Sequence, residues 1–193
     1  MVRVYLWARG RFDESVSHAR RAQELDPLSL ADNLTLGVAH YFAGDFEQSA
    51  EQLRKTLEIE PRFYPARVSL SFAYAELGQF DQAIAEAESA RATEDLPLVL
   101  AAVGSAYAVA ERRADALRVV DELKERSKTS YVSAFEIATV YSDVGEQQLA
   151  IEWFHKALDE RASWMVFLKT SPKFKLLHST PGYSELLSHL KLV

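Results

Sequence analysis

The chain has 193 residues, no cysteine and a formal net charge of −6. Without cysteine there is no disulfide framework, thiolate metal site or cysteine nucleophile, and the acidic balance opposes electrostatic capture of nucleic acid or anionic lipid. With 48% hydrophobic residues, seven glycines and six prolines the composition suits an all-helical chain with a continuous core. No stretch approaches the roughly 20 apolar residues of a membrane span, and the N-terminus lacks a secretory pattern, so a soluble, cytoplasmic chain with no membrane partner is expected.

Read in chain order, the first predicted helix ends at Gly10 and the second opens at Phe12 and closes before Pro27. The same signs return 34 residues later, with Gly44, Phe46 and Pro61, and again at Gly78 and Phe80. The next turns fall at Glu111 and Gly145, 33 and 34 residues on. A period of this length, with a Gly-x-aromatic turn in mid-repeat and proline at the end, predicts paired helices. After the fifth pair, residues 162–193 read as capping helices. Counting back from Gly10 places Met1 inside its helix, so the first hairpin is expected to lack about its first turn and a half. Residues 1–193 are on that reading the C-terminal part of a longer protein.

Columns run through the repeats. Leu36, Leu70, Val103 and Ile137 share one position of the first helix, with the small residues Gly37, Ser71, Gly104 and Ala138 beside them, and Tyr74, Tyr107 and Tyr141 follow. In the second helix Ser15, Ser49, Ala83, Ala116 and Ala150 form a small-residue column, and Ala19, Leu53, Ala87, Val120 and Phe154 stand four residues later. Small residues let paired helices approach closely while large ones fill the space to the next pair.

At this point the chain resembles the tetratricopeptide repeat, carried by Leu36-Gly37, Gly44, Phe46 and Pro61 in the second repeat and by Tyr141, Gly145, Ala150, Phe154 and Ala157 in the fifth. Asn33, His40 and Glu111 depart from the family pattern. The resemblance covers residues 2–161 and implies an all-α, right-handed superhelical solenoid of helical hairpins with a C-terminal helical cap. The segments Glu160–Lys169, Ser171–Phe174 and Thr180–Leu187 look like the close of such regions in large bacterial signalling proteins, behind kinase, winged-helix or cyclase domains. Trp164, Val166, Phe167, Leu168, Phe174, Leu176 and Leu177 are expected to cover the fifth repeat, with Tyr183, Leu186, Leu187 and Leu190 as a further stripe.

The resemblance also implies a concave groove lined by the second, fifth, ninth, twelfth and thirteenth residues of each repeat. Candidate partner-binding residues on it are Leu34, Val38, Tyr41, Phe42, Val68, Phe72, Ser105 and Phe135. The lysine, arginine and asparagine clamp with which some members hold acidic chaperone tails does not stand at these positions. An apolar groove suits an amphipathic helix or a hydrophobic peptide, and packing against neighbouring helices is the competing explanation of the same residues.

No catalytic, cofactor-binding or metal-ligating set emerges. His18, His40, His155, His178 and His189 have no i, i+4 partner of the kind metal sites use, and there is no phosphate loop or nucleophile elbow. Asn33-Leu34-Thr35 fits a glycosylation acceptor but falls within a predicted helix. The expected function is therefore non-catalytic: an interaction module, without cofactor, that binds a protein or peptide within a larger bacterial signalling or regulatory protein. The alternative is self-association, a homodimer formed through the first hairpin, at Val4 and Leu6, or through the C-terminal cap.

Overall fold

The computed structural model describes residues 2–191, with side chains from residue 5 onward, so Val4 as a side chain lies outside the described residues. Among the described residues every regular element is helical. The chain divides into two compact units that meet between Glu94 and Asp95.

The N-terminal unit holds three hairpins: α1 (Val2–Ala8) with α2 (Phe12–Leu25), α3 (Leu30–Ala43) with α4 (Phe46–Ile59), and α5 (Tyr64–Glu76) with α6 (Phe80–Thr93). Each helix packs on its hairpin partner, and α3 and α5 also pack on the second helix of the hairpin before. The expected columns form the core, with Ser15, Ala19, Leu36, Ser49, Leu53, Leu70, Ala83 and Ala87 all buried. Gly37 shows why one column must stay small: a Cβ there would meet Leu53 Cγ at 2.6 Å. The Ser49 hydroxyl donates to the Gly37 carbonyl at 2.8 Å, which holds the same crossing close.

The C-terminal unit repeats the scheme with α7 (Pro97–Val109) and α8 (Arg113–Arg126), then α9 (Ala134–Val144) and α10 (Gln147–Asp159). Helix α9 packs on both α7 and α8. Two 3₁₀ segments follow, Ser163–Phe167 and Pro172–Ser179, and then α11 (Tyr183–His189). Residues Val99 to Ala106 of α7 are all buried, so this helix is apolar around its whole circumference.

One turn geometry closes every hairpin. Gly10, Gly44, Gly78 and Gly145 have φ of 68°, 85°, 71° and 86°, and Glu111 takes the same left-handed conformation at 61°. In each case the next residue donates its N–H to the carbonyl five residues earlier: Arg11 to Leu6, Asp45 to His40, Gln79 to Tyr74, Arg112 to Tyr107 and Glu146 to Tyr141. This satisfies carbonyls that a helix end would otherwise leave unpaired. Register thus imposes the turn even where the sequence supplies glutamate.

The other departures from the repeat pattern are also accounted for by local bonding. Asn33 is buried; its Nδ2 donates to the Pro27 and Ser29 carbonyls at 2.8 and 2.9 Å, and its Oδ1 accepts from Gln52 Nε2 at 2.7 Å. The side chain ties the loop before α3 to both helices of its hairpin, and burial removes it from any glycosylating enzyme. His40 is buried beside Asp45, with Nδ1 at 3.3 Å from the carboxylate.

The tail packs against the last hairpin. Phe174 meets Phe135 of α9 and Phe154 of α10 edge-on, at ring-centroid distances of 5.9 and 5.4 Å. Met165, Leu168, Leu177 and Leu186 are almost fully buried beneath it. Polar contacts fix the same segment: Lys173 Nζ lies 2.7 Å from Asp143 Oδ2, Thr180 donates to Gln147 Oε1 at 2.6 Å, and Tyr183 donates to the Leu168 carbonyl at 3.0 Å. Two residues expected to cover the fifth repeat do not. Trp164 is 55% exposed and Leu176 69% exposed, because the backbone here is 3₁₀ and its three-residue turn sends them away from the hairpin.

Candidate functional site

The candidate site is the inner face of the first helix in each hairpin, and the two units differ there. In the N-terminal unit Leu34 and Val38 of α3 and Phe72 of α5 are half-buried, each leaving part of its side chain in reach of solvent. Tyr41, Phe42 and Val68 are buried. Phe42 is occupied by packing: its ring stacks on Trp7 of α1 at 5.2 Å and 9°, and Phe12 of α2 lies 6.5 Å away. Tyr41 sits edge-on to Phe42 at 5.8 Å, near Phe46 at 5.6 Å, and its hydroxyl reaches Glu76 Oε1 at 3.4 Å. The accessible face is therefore narrower than the candidate set. Leu34, Val38 and Phe72 offer apolar surface, backed by a rigid aromatic wall, and the exposed Glu76 gives the rim a negative charge.

In the C-terminal unit the middle of the same face is covered, while Leu98 at the start of α7 is 38% exposed and Ala108 and Val109 at its end are half-buried. Ser105 is buried on α7, and its hydroxyl has no hydrogen-bond partner. Thr139 and Ser142, at groove positions of α9, are buried as well, and Thr139 donates back to the Phe135 carbonyl at 2.8 Å. Phe135 is half-buried and contacts Phe174 of the tail, while Asp143 takes Lys173. The chain's own C-terminal segment thus fills the end of this face. The Lys173–Asp143 pair was not visible in the sequence, because nothing in the repeat register locates an irregular tail.

Electrostatics single out one group. Glu136 sits in the first turn of α9, where burial pushes its carboxyl up to about 7; a backbone hydrogen bond at Ser133 opposes the shift and the nearby charge of Glu160 adds to it. Glu160 in turn accepts from the Ala134 N–H at 3.0 Å, so two carboxylates crowd one helix N-terminus. A further aromatic–cation cluster joins three helices: Lys124 of α8 donates to the Tyr141 hydroxyl at 2.5 Å and lies 5.7 Å from the Trp153 ring, over which Lys156 sits at 3.8 Å. Among the described residues no group of three histidine, aspartate or glutamate side chains could hold a metal ion, and no helix is long and apolar enough to cross a membrane.

Hairpins joined by left-handed turns, with small residues at each crossing, define a helical-repeat protein. Residues 43–106 match a family model for the tetratricopeptide repeat and residues 4–21 match a second one. The fold is that of the tetratricopeptide-repeat family. A thermophilic tetratricopeptide protein of Thermus thermophilus superimposes with a TM-score of 0.67 at 21% identity, over 97% of this chain and 96% of that one. The nearly identical repeats of a kinesin light chain from Podospora anserina give a TM-score of 0.58 at 17% identity, over 84% and 92%. YrrB, described as having an unusual peptide-binding site, gives 0.50 at 14% identity, over 90% and 91%. No curated protein sequence matches the chain. A fold of this kind suggests a protein–protein interaction scaffold.

Proposed function

We propose that the chain is a non-catalytic interaction module whose N-terminal unit binds an apolar protein segment through Leu34, Val38 and Phe72, with Val68, Tyr41 and Phe42 as the packed floor behind them. The observation that carries this reading is the half-exposure of those three side chains, whose counterparts in the C-terminal unit are buried at Ala101, Ser105 and Thr139 and met by the tail's Phe174 at Phe135. Single half-buried apolar residues are ordinary on protein surfaces; three on neighbouring inner faces backed by stacked rings make a prepared surface that loses little side-chain entropy on binding. The peptide-binding site of YrrB supports the ligand class. Glu76 at the rim favours a segment carrying a basic residue beside its apolar ones. Ser105 and Phe135 are read here as packing positions, the second of them beneath the tail.

Residues 162–193 act in this reading as the cap of the last hairpin, since a terminal repeat needs a partner for its apolar face. The resemblance of the tail to the close of repeat regions in bacterial signalling proteins supports a host of that kind, in a cytoplasmic setting. Selection of a displayed random-peptide library on the protein tests the site. The expected result is enrichment of apolar peptides with a lysine or arginine, whose binding falls at least about thirtyfold in Phe72→Glu and Val38→Glu while helicity is kept, as for loss of an interface anchor. Undiminished binding by both folded variants would remove the site from the inner face.

A further inference from the structure

Histidines that share no close spacing in the sequence are brought together where one helix of the tail meets the last hairpin. His155 of α10 and His189 of α11 stand 34 residues apart, and α11 packs on α10. Their imidazoles meet edge to face with ring centroids 6.5 Å apart. An ion held at about 2.1 Å by one nitrogen of each ring sets the centroids about 5 to 6.5 Å apart, so the pair stands at the outer limit of that range. His189 is exposed and is the last residue of its helix. A change of rotamer there closes the remaining distance without moving the backbone.

Each ring keeps a lone pair for a ligand. His189 Nδ1 lies 3.0 Å from the Glu185 carbonyl. A carbonyl only accepts, so Nδ1 carries the proton and Nε2 the lone pair, which is how a metal-binding imidazole is usually held from behind. His155 is half-buried, and among the described residues its nitrogens have no hydrogen-bond partner. The charged neighbours along the two segments balance, with Glu152, Asp159 and Glu185 against Lys156, Arg161 and Lys191. Selection therefore rests on the imidazoles and not on net charge, which favours Ni²⁺ or Zn²⁺ over the oxygen-seeking Mg²⁺ and Ca²⁺. Among the described residues no third histidine, aspartate or glutamate completes the set, so water fills the other coordination positions.

We infer that His155 and His189 form a two-imidazole clip for a divalent transition-metal ion of the Ni²⁺ or Zn²⁺ kind, which pins the last helix of the chain to the hairpin before it. Helix α11 has seven residues, too few to hold a helix in water unaided. Tyr183, Leu186 and Leu187 supply its packing, and an ion bridging α10 and α11 adds a second hold on it. None of the residues of the proposed peptide surface takes part, so the clip stands or falls independently of it.

Calorimetric titration of the tag-free chain with Ni²⁺ and with Zn²⁺ should show one ion bound per chain, and Mg²⁺ should give no binding. His155→Gln and His189→Gln, each still fully helical, should weaken binding at least about tenfold, because a chelate is reduced to a single imidazole. With free Zn²⁺ at about ten times its Kd, hydrogen exchange over Tyr183–His189 should slow about tenfold while α3 to α6 are unchanged, and the slowing should vanish in both variants. A wild-type chain that binds these ions no more tightly than either variant overturns the inference and assigns any uptake to isolated histidines. Tighter binding by the wild type with no slowing over α11 overturns it as well, since the ion would then not join the two helices.

Discussion

Glu111 occupies a left-handed conformation, φ 61°, in which a side chain with a Cβ is disfavoured by about 1–2 kcal/mol, and its four counterparts in the array are glycine. The side chain is exposed and the turn bonds are backbone only. Glu111→Gly should therefore raise stability by about 0.5–1 kcal/mol, less than the full strain because glycine also loosens the unfolded chain. Urea denaturation measures this, and a loss of stability would show that the glutamate side chain supports the turn. Glu136 makes a prediction of the opposite kind. Its carboxyl holds its proton up to about 7 in the folded protein, whereas an unfolded glutamate releases it near 4.5. Between those values the folded state binds the extra proton, so this group's contribution to stability is greatest below the window and declines as pH rises through it. Glu136→Gln should flatten that decline, of order 1 kcal/mol after solvent screening, in melting curves taken from about pH 4.5 to about 7.5. An unchanged profile would place the titration elsewhere.

Helices and hairpins were legible in the sequence because their causes are periodic. The 34-residue spacing, the turn glycines and the alternating small and large columns reappear as turns with one shared hydrogen bond and as buried crossings such as Gly37 against Leu53. The tail was legible only in part. Leu168 and Leu177, expected as cover for the fifth repeat, and Leu186, expected in a helical stripe, are buried, but a 3₁₀ backbone has no 3.6-residue stripe, and so Trp164 and Leu176 emerge at the surface. The candidate groove was read from family register, which gives the facing of a helix and not what lies over it; Phe42 under Trp7 and Phe135 under Phe174 are decided by neighbours outside the repeat pattern. At this scale Phe174 is the test residue, since it joins the tail to both α9 and α10. Phe174→Ala should cost the tail about 3–5 kcal/mol. Hydrogen exchange should then accelerate over residues 163–189 while α3 to α6 keep their protection. Acceleration spread evenly over the chain would mean that the tail is not a separable layer.

On the scale of the whole molecule, the repeat fold supplies rigid faces and edges, and their chemistry differs from place to place. In the N-terminal unit the candidate face carries the half-buried Leu34, Val38 and Phe72, whereas in the C-terminal unit its middle is filled by serine, threonine and the chain's own tail, with Leu98 exposed at one end. Covered faces account for stability, and the uncovered ones carry the proposed interactions. The difference in coverage between these faces is what the proposed binding site in the N-terminal unit rests on. Methyl-resolved NMR with a library-selected apolar peptide tests that assignment most directly. The account predicts shift changes at the methyl groups of Leu34, Val38 and Val68, with Leu168, Leu177 and Leu186 of the tail unmoved. Shifts confined to the tail methyls, with Leu34 and Val38 silent, would contradict it.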